Sequence, residues 1–477
     1  MTTIAEPAHR TFSMPDQRSF ADFSEDRNPL HMDAVMARRS MAGAPVVHGM
    51  HILLWSLEAA LAVGSLPQNV QSIRCRFQSP LLVGEKAELS IPQTAAQPFT
   101  MRVTVDGTVQ SKIEVREKNQ IDAAPEPVED PALIFKIPSE PLECSLENAS
   151  GRSGRWLMGE VRSDAYFPLA CGAIGASRVR AIGFLSALVG MICPGLHSLL
   201  GSVTIDLDGP QTPWIDFRVV EADDRFGRIL LHVAGGGIRA RAETFIRPAP
   251  VLQRSLEQLS SLVTPNEFAT ATALIVGGSR GLGALTAKIL AAGGAHIVLS
   301  YVAGAQNAQQ VQREIEQSGG VCQIVKFDVT QDSFALPAGS APPTHVYYYA
   351  TPKIWLRKSR RFSPGRFSHF SAYYVCGMEK LVYTLDRYGG APVKLFNPSS
   401  ISIADGPAEL TEYSMAKAAA EVLASHLSRS TNVQIVTCRL PRLLTDQTAT
   451  SHAVKTDETA GVLLPLIREF QNGASSR

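Results

Sequence analysis

Ala273-Leu-Ile-Val-Gly-Gly-Ser-Arg-Gly-Leu-Gly283 reads as a short buried strand that runs into a glycine turn and opens a helix. Four apolar residues end at Val276, the glycines Gly277, Gly281 and Gly283 punctuate the turn, and a helical pattern over 282–292 stops at Gly293-Gly294. A turn of this kind lets backbone approach a pyrophosphate, and the helix N-terminus adds free N–H groups and partial positive charge. Outward from it, strands and helices alternate. Strands are expected at 296–301, 321–329, 346–349, 393–397 and 433–440, with a polar-faced helix at 306–318 stopped by Gly319-Gly320. The pattern predicts a doubly wound parallel sheet over residues 268–477.

The chain has 477 residues, too many for one ordinary core, so two to four domains are expected. Hydrophobic residues make up 45% and charged residues 19%, as in a globular protein, and a net charge of +1 gives no general case for nucleic-acid or membrane binding. Seven scattered cysteines without paired spacing argue for reduced thiols and a cytoplasmic setting. The apolar stretch 181–200 is interrupted by Pro194 and Gly195 and reads as a buried core helix. Pro- and acid-rich joints at 122–131 and 247–250 divide the chain into regions 1–121, 132–250 and 268–477, with a connecting helix at 255–263. The first two regions look like a repeat of one helix plus a sheet. Val47-His-Gly-Met-His51 aligns with Cys193-Pro-Gly-Leu-His197, and strands follow at 71–77 and 101–105, then at 214–220 and 229–233. Without gaps, this places Asp26 opposite Gly172 and His31 opposite Ser177, so the second copy lacks the polar pair of the first.

Two further strings follow the glycine turn: Asn397-Pro-Ser-Ser400 at a strand end and Tyr413-Ser-Met-Ala-Lys417 on a helix. Tyr413 and Lys417 are four apart and share one helix face. A tyrosine hydroxyl has a pKa of about 10, and a nearby ammonium favours the phenolate. Ser400 can hold a substrate oxygen while Tyr413 passes a proton to it. Over about 270–446 the chain resembles the short-chain dehydrogenase/reductase family. The resemblance makes Ser400, Tyr413 and Lys417 catalytic. It implies cofactor contacts from Gly277, Ser279, Arg280, Gly281, Leu282, Gly283, Ser300, Asp328, Val329, Tyr413, Lys417 and Thr445. Two departures stand out: Tyr348-Tyr349-Ala350-Thr351 replaces the family's Asn-Asn-Ala-Gly, and Tyr374 occupies the place of its helical asparagine. Ser300-Tyr301 ends the second strand without the acid that would bind a ribose 2′-hydroxyl, and Arg280 can pair with a phosphate. Both favour NADPH.

Near the N-terminus, Phe23-Ser-Glu-Asp-Arg-Asn-Pro-Leu-His-Met-Asp33 sets Asp26 and His31 five apart around an Asn28-Pro29 turn. A loop so folded can aim both side chains at one water, and the Gly49 amide at the start of a buried helix can donate to a thioester oxygen. Over about 10–62 this resembles the MaoC-like, (R)-specific enoyl-CoA hydratases, which implies that Asp26 and His31 are catalytic and that Asn28 and Gly49 support them. The spacing of these residues resembles no usual metal ligand set, so no metal is expected. Cys193 and His197 lack an evident orienting acid and read as structural.

The expected fold is therefore an α+β double hotdog followed by an α/β Rossmann domain. The expected function is reduction of a 3-oxoacyl thioester and dehydration of its product in fatty-acid or polyketide-type biosynthesis. The alternatives are the reverse steps, as in β-oxidation, and a docking module with one inactive site. The resemblances imply an acyl thioester on CoA or acyl-carrier protein as substrate, and a homo-oligomer. The basic runs Arg38-Arg39 and 357–361 are candidate docking points for a phosphate or an acidic carrier.

Overall fold

The computed structural model describes residues 8–92, 97–121, 133–331, 333–354, 362–388, 391–448 and 457–473. The expected joint at 122–131 and the basic run at 357–361 lie outside the described residues. The chain divides into two compact units, one made chiefly of residues 1–249 and one of residues 250–449 and 454–477.

The first unit is built on one eleven-stranded sheet. Its first half supplies β1 (Ala8–Thr11), β2 (Ser72–Phe77), β3 (Lys86–Ser90), β4 (Phe99–Val105) and β5 (Thr108–Arg116). Its second half supplies β6 (Ile134–Phe135), β7 (Ser153–Leu157), β8 (Ser198–Asp206), β9 (Trp214–Asp223), β10 (Arg228–Gly235) and β11 (Ile238–Ile246). The order β1-β3-β4-β5-β2 in the first half recurs as β7-β9-β10-β11-β8 in the second. The halves join through antiparallel β2 and β8, where Cys75 faces Val203. Alternation decides which face is buried: in β4, Phe99, Met101, Val103 and Val105 point inward and the residues between them point out. Two apolar helices share this core, α2 (Gly49–Ala62) and α3 (Ala176–Ala187), with α1 (Met14–Ser24) ahead of them. A buried π-helical turn, Leu188–Ile192, continues α3; the stretch expected as a helix over 181–200 is helical only to Ile192, and its last residues, 198–200, begin β8.

The repeated strand order agrees with two related halves, but the register of the repeat differs from the ungapped one. Val47-His-Gly-Met-His51 opens α2, whereas Cys193-Pro-Gly-Leu-His197 follows the helix and leads into β8. The counterpart of α2 is α3. The segment between first strand and long helix is roughly half as long in the second half, 158–175 against 12–48. Gly172 and Ser177 are therefore not the equivalents of Asp26 and His31; the stretch that carries those residues was not duplicated at its full length. A glycine two residues before a histidine occurs at a helix start in one half (Gly49, His51) and past a helix end in the other (Gly195, His197), so the shared motif does not mark equivalent positions.

The second unit is a six-stranded parallel sheet in the order β14-β13-β12-β15-β16-β17. The strands are β12 (Thr272–Val276), β13 (His296–Tyr301), β14 (Val321–Lys326), β15 (His345–Tyr348), β16 (Val393–Ser400) and β17 (Val433–Leu440). Near-continuous burial of β12 is the mark of a strand covered on both faces. Helix α4 (Gly281–Ala292) follows β12, and α5 (Thr411–Ser430) links β16 to β17. The order reverses at β12, with β13 on one side and β15 on the other, which opens a crevice at the carboxyl ends of these strands.

Candidate functional site

In the first unit, α1 ends at Glu25 in the left-handed conformation, and the chain turns sharply into Asp26. Asp26 is 1% exposed. Its carboxylate accepts from the Ser186 hydroxyl at 2.7 Å and from the Asn28 N–H at 3.1 Å. Burial raises its pKa, against the pull of His31, Ser186 and Asn28. His31 presents Nδ1 to the Val46 carbonyl at 2.7 Å. A carbonyl only accepts, so Nδ1 donates to it and Nε2 is the nitrogen turned to the site. That Nε2 lies 3.9 Å from Asp26 Oδ2, too far for a direct bond and a span that one shared water can bridge.

His48 lies beneath them, fully buried. Its Nε2 is 3.1 Å from the Asp26 carbonyl and its Nδ1 is 2.9 Å from Gln17 Oε1. Burial, with His31 and His51 nearby, holds its pKa well below the usual histidine range, so it is a neutral support. The ligand atoms of Asp26, His31 and His48 lie within 4.8 Å of one another, as a metal site would need. Against that use, the His31 and His48 rings stack at 4.0 Å and 25°, so their in-plane lone pairs run side by side rather than converging on one ion. Gly49 begins α2, and His48 makes no side-chain cap there; a β-carbon at Gly49 would sit 3.0 Å from the Phe77 ring.

Sequence reasoning missed the part of this site supplied by the second half. Arg180, Gly183, Ser186 and Gly190 recur at three- and four-residue spacing and all meet the segment 23–28, the end of α1 and the turn after it. Arg180 donates to the Phe23 carbonyl at 2.8 Å and pairs with Glu25. Gly183 makes room for the Phe23 ring, where a β-carbon would lie 2.3 Å away. Gly190 does the same for Asp26, at 2.4 Å from Oδ1. Asn28 closes the loop by donating to the carbonyls of Gly190 and Gly195 at 2.7 and 3.1 Å. A legible signal existed: glycine inside an apolar helix costs about 1 kcal/mol and often marks a close approach. Cys193, by contrast, is buried against Cys144 with its pKa pushed up by that contact and by burial. His197 does face an acid, Glu143 at 3.3 Å, but this pair does not activate Cys193.

In the second unit the glycine turn is built as expected. Gly277 has φ +81 and lies against Tyr349, where a β-carbon would come within 3.0 Å of backbone. Gly283 packs on the turn so closely that a β-carbon would lie 2.4 Å from the Gly277 carbonyl oxygen. Arg280 stands at the N-cap of α4 without a side-chain cap bond, so the amides of Gly281, Leu282 and Gly283 are not capped by it. Such a cradle of small residues and uncapped N–H groups fits a dinucleotide pyrophosphate. Ser279 is nearly buried beside it.

Five expected cofactor contacts, Ser300, Arg280, Asp328, Val329 and Thr445, have partners or burial of their own. Ser300 is 1% exposed, and its Oγ accepts from the Gly277 N–H at 3.1 Å, so it braces the turn. Arg280 lies 3.7 Å from the buried Asp446 carboxylate. Asp328 accepts from the N–H and hydroxyl of Thr330 at 2.9 and 2.7 Å, and Val329 is buried. Thr445 donates its N–H to the Thr448 hydroxyl at 2.8 Å. Among the described residues of β13, Ser300 and Tyr301 still end the strand without a carboxylate.

Ser400 is the last residue of β16, Tyr413 lies in the first turn of α5, and Lys417 is one turn further along. Ser400 hydrogen-bonds to Tyr413. Lys417 Nζ donates to the Pro398 carbonyl at 2.7 Å. The expected lowering of the Tyr413 pKa by the Lys417 ammonium is not what results. Burial pushes Tyr413 up, opposed by the Ser400 bond, and burial pushes Lys417 down to about 7, opposed by Glu421. Tyr348 and Tyr349 turn their rings into the two cores flanking the sheet, bonding the Tyr373 carbonyl and Thr286.

Residues 2–120 match the family of the MaoC like domain, and residues 271–337 match that of the short chain dehydrogenase. The chain joins a MaoC-like dehydratase domain to a short-chain dehydrogenase domain. It is 35% identical over 91 residues to the (R)-specific enoyl-CoA hydratase of Aeromonas caviae, covering 18% of this chain and 65% of that one. It is 25% identical over 170 residues to the uncharacterized oxidoreductase YgfF of Escherichia coli (strain K12), covering 33% and 69%. It is 31% identical over 78 residues to the peroxisomal multifunctional enzyme type 2 of Drosophila melanogaster, covering 16% and 13%. The chain thus spans just under two thirds of the hydratase and a small part of the multifunctional enzyme. Among solved structures, a short chain dehydrogenase from Burkholderia cenocepacia J2315 in complex with NADP is similar at 18% identity and TM-score 0.37, over 43% of this chain and 91% of that one.

Proposed function

We propose that the chain is a bifunctional enzyme of acyl-thioester metabolism, an NADPH-dependent 3-oxoacyl reductase joined to a 3-hydroxyacyl dehydratase. The observation that carries this reading is the presence in one chain of two assembled sites: Asp26 and His31 across a water-sized gap, and Ser400, Tyr413 and Lys417 beside a glycine cradle. We read the first unit as a double hotdog whose second half, residues 132–250, has become a support for the chemistry of the first, residues 1–121; residues 268–477 form the reductase domain.

In the dehydratase site, Asp26 takes the α-proton of the 3-hydroxyacyl thioester and protonated His31 gives its Nε2 proton to the departing hydroxyl. Water leaves and the 2,3-double bond forms. In reverse, the raised pKa of Asp26 suits it to return that proton, and His31 Nε2 activates the water. Negative charge gathers on the thioester oxygen, where the Gly49 amide at the N-terminus of α2 can donate.

In the reductase site, bound NADPH supplies the hydride. Gly277, Gly281 and Gly283 admit its pyrophosphate, and Arg280, released from Asp446, suits a 2′-phosphate. Ser400 holds the ketone oxygen and Tyr413 protonates it. NADPH use favours the reductive, biosynthetic direction. The partial likeness to the peroxisomal multifunctional enzyme keeps the oxidative direction as a second reading. The substrate, on CoA or a carrier protein, is a 3-oxygenated acyl thioester, and the enzyme is cytoplasmic and oligomeric.

The test pairs two variants. Tyr413→Phe abolishes NADPH oxidation with an acetoacetyl thioester and spares crotonyl-thioester hydration, and Asp26→Asn does the opposite. Loss of both activities in either variant overturns the two-site reading.

A further inference from the structure

In the second unit Tyr374 lies on a π-helical turn, Ala372–Gly377, and its ring covers Lys417. The Lys417 ammonium sits 4.0 Å from the ring centroid. The Tyr374 hydroxyl is turned away and bonds to Thr351 Oγ1 at 2.6 Å, so Lys417 meets the face of the ring and not its oxygen. The ring is held from two other sides: Phe370 stacks on it at 6.1 Å and 5°, and Tyr413 meets it edge to face at 5.8 Å and 80°. Both Tyr374 and Lys417 are buried. A π-helical turn inside a helix is unusual and tends to mark a functional position.

We propose that Tyr374 is a positioning residue of the reductase, whose ring face keeps Lys417 charged and aligned beneath Tyr413. This rests on the reductase reading of the Ser400, Tyr413 and Lys417 site. The Lys417 ammonium has three N–H groups. One goes to the Pro398 carbonyl and the ring face receives the side turned towards Tyr374, which leaves the remainder for Tyr413 and the ligand. The ring's negative face stabilises a cation most where water is excluded. The titratable groups around this ammonium are Tyr413 and Glu421 on its own helix and Tyr374 opposite, with Tyr348 and Tyr373 behind Tyr374. Glu421 is shared with Arg439, at 2.7 Å, and with Ser399, so it is a divided counter-charge. Burial already lowers Lys417 to about 7, so a further loss of cation stabilisation falls within the working pH range.

The test compares Tyr374→Phe, which keeps the ring, with Tyr374→Leu, which removes it; Tyr374→Met replaces Leu if the Leu variant melts early. Two readouts are taken on the full chain: kcat and KM for NADPH-dependent acetoacetyl-thioester reduction against pH, and titration of the Lys417 ¹³Cε resonance, assigned by its loss in Lys417→Arg, without cofactor. Tyr374→Phe is expected to match the wild type in both. Tyr374→Leu is expected to move the alkaline limb of kcat and the resonance midpoint down by about one pH unit, with KM little changed. An unmoved Lys417 midpoint in Tyr374→Leu, or a Tyr374→Phe effect equal to that of Leu, overturns the proposal. A wild type that reduces no 3-oxoacyl thioester sinks the reductase reading instead, and the resonance titration still decides the role of Tyr374.

Discussion

Gly190→Ala places one methyl group in the second half of the first unit and is expected to slow, by about 100-fold, chemistry whose catalytic residues all belong to the first half. The added β-carbon would sit 2.4 Å from Asp26 Oδ1, 2.7 Å from Oδ2 and 2.8 Å from Cγ. Ordinary contact needs about 3.5 Å, so the carboxylate has to retreat by about 1 Å. The retreat breaks the 2.7 Å bond from Ser186 and alters the 3.9 Å span to His31. Overpacking of this kind destabilises by about 1–3 kcal/mol. A misplacement of about 1 Å lowers the catalysed rate about 100-fold. Crotonyl-thioester hydration is the assay, followed by loss of enoyl absorbance, with a thermal melt and NADPH oxidation on the same preparation. Gly172→Ala, in the helix Pro168–Ile174, is the matched control, since its β-carbon would meet nothing within 4 Å; hydration should stay within about twofold, and helix propensity alone favours alanine by about 1 kcal/mol. A Gly190→Ala enzyme that melts normally and hydrates within about threefold of wild type would refute the view that the second half sets the Asp26 carboxylate.

Asp26→Asn should stabilise the protein at neutral pH while removing hydration. The folded-state pKa of Asp26 is raised, so its contribution is most favourable below the unfolded value of about 3.8 and is lost as pH climbs through the folded value. The melting temperature of Asp26→Asn should therefore exceed that of wild type at pH 8, with the gap closing in acid; an equal gap at both ends would show that Asp26 does not titrate as burial requires. Arg280→Leu should raise KM for NADPH at least about tenfold and leave KM for NADH nearly unchanged, because only the former carries the 2′-phosphate; equal effects on both would mean that Arg280 serves Asp446 alone.

Much of the second unit was legible because its signals are local. A glycine turn between a strand and a helix, and a Tyr–Lys pair one helical turn apart, depend on residues adjacent in the chain, and the structure places them at the carboxyl ends of β12 and β16 as expected. Asp26 and His31 were legible for the same reason, since one tight turn around Asn28 brings them together. Ser300 was misjudged because β13 delivers its hydroxyl to a neighbouring strand's turn, a contact that no sequence spacing encodes.

The alternating strands and helices of the second unit, four strands of the first and the residue types of each local site could be read from the chain alone. The register of the repeat, the burial that raises Asp26 and lowers Lys417, the ring of Tyr374 over that ammonium, and the support of the Asp26 loop by Arg180, Ser186 and Gly190 emerge from long-range packing. The physical reason is range. Backbone periodicity and turn chemistry act over a few residues, whereas desolvation, close packing and cation–ring contact depend on groups far apart in the chain, as Asp26 and Ser186 are.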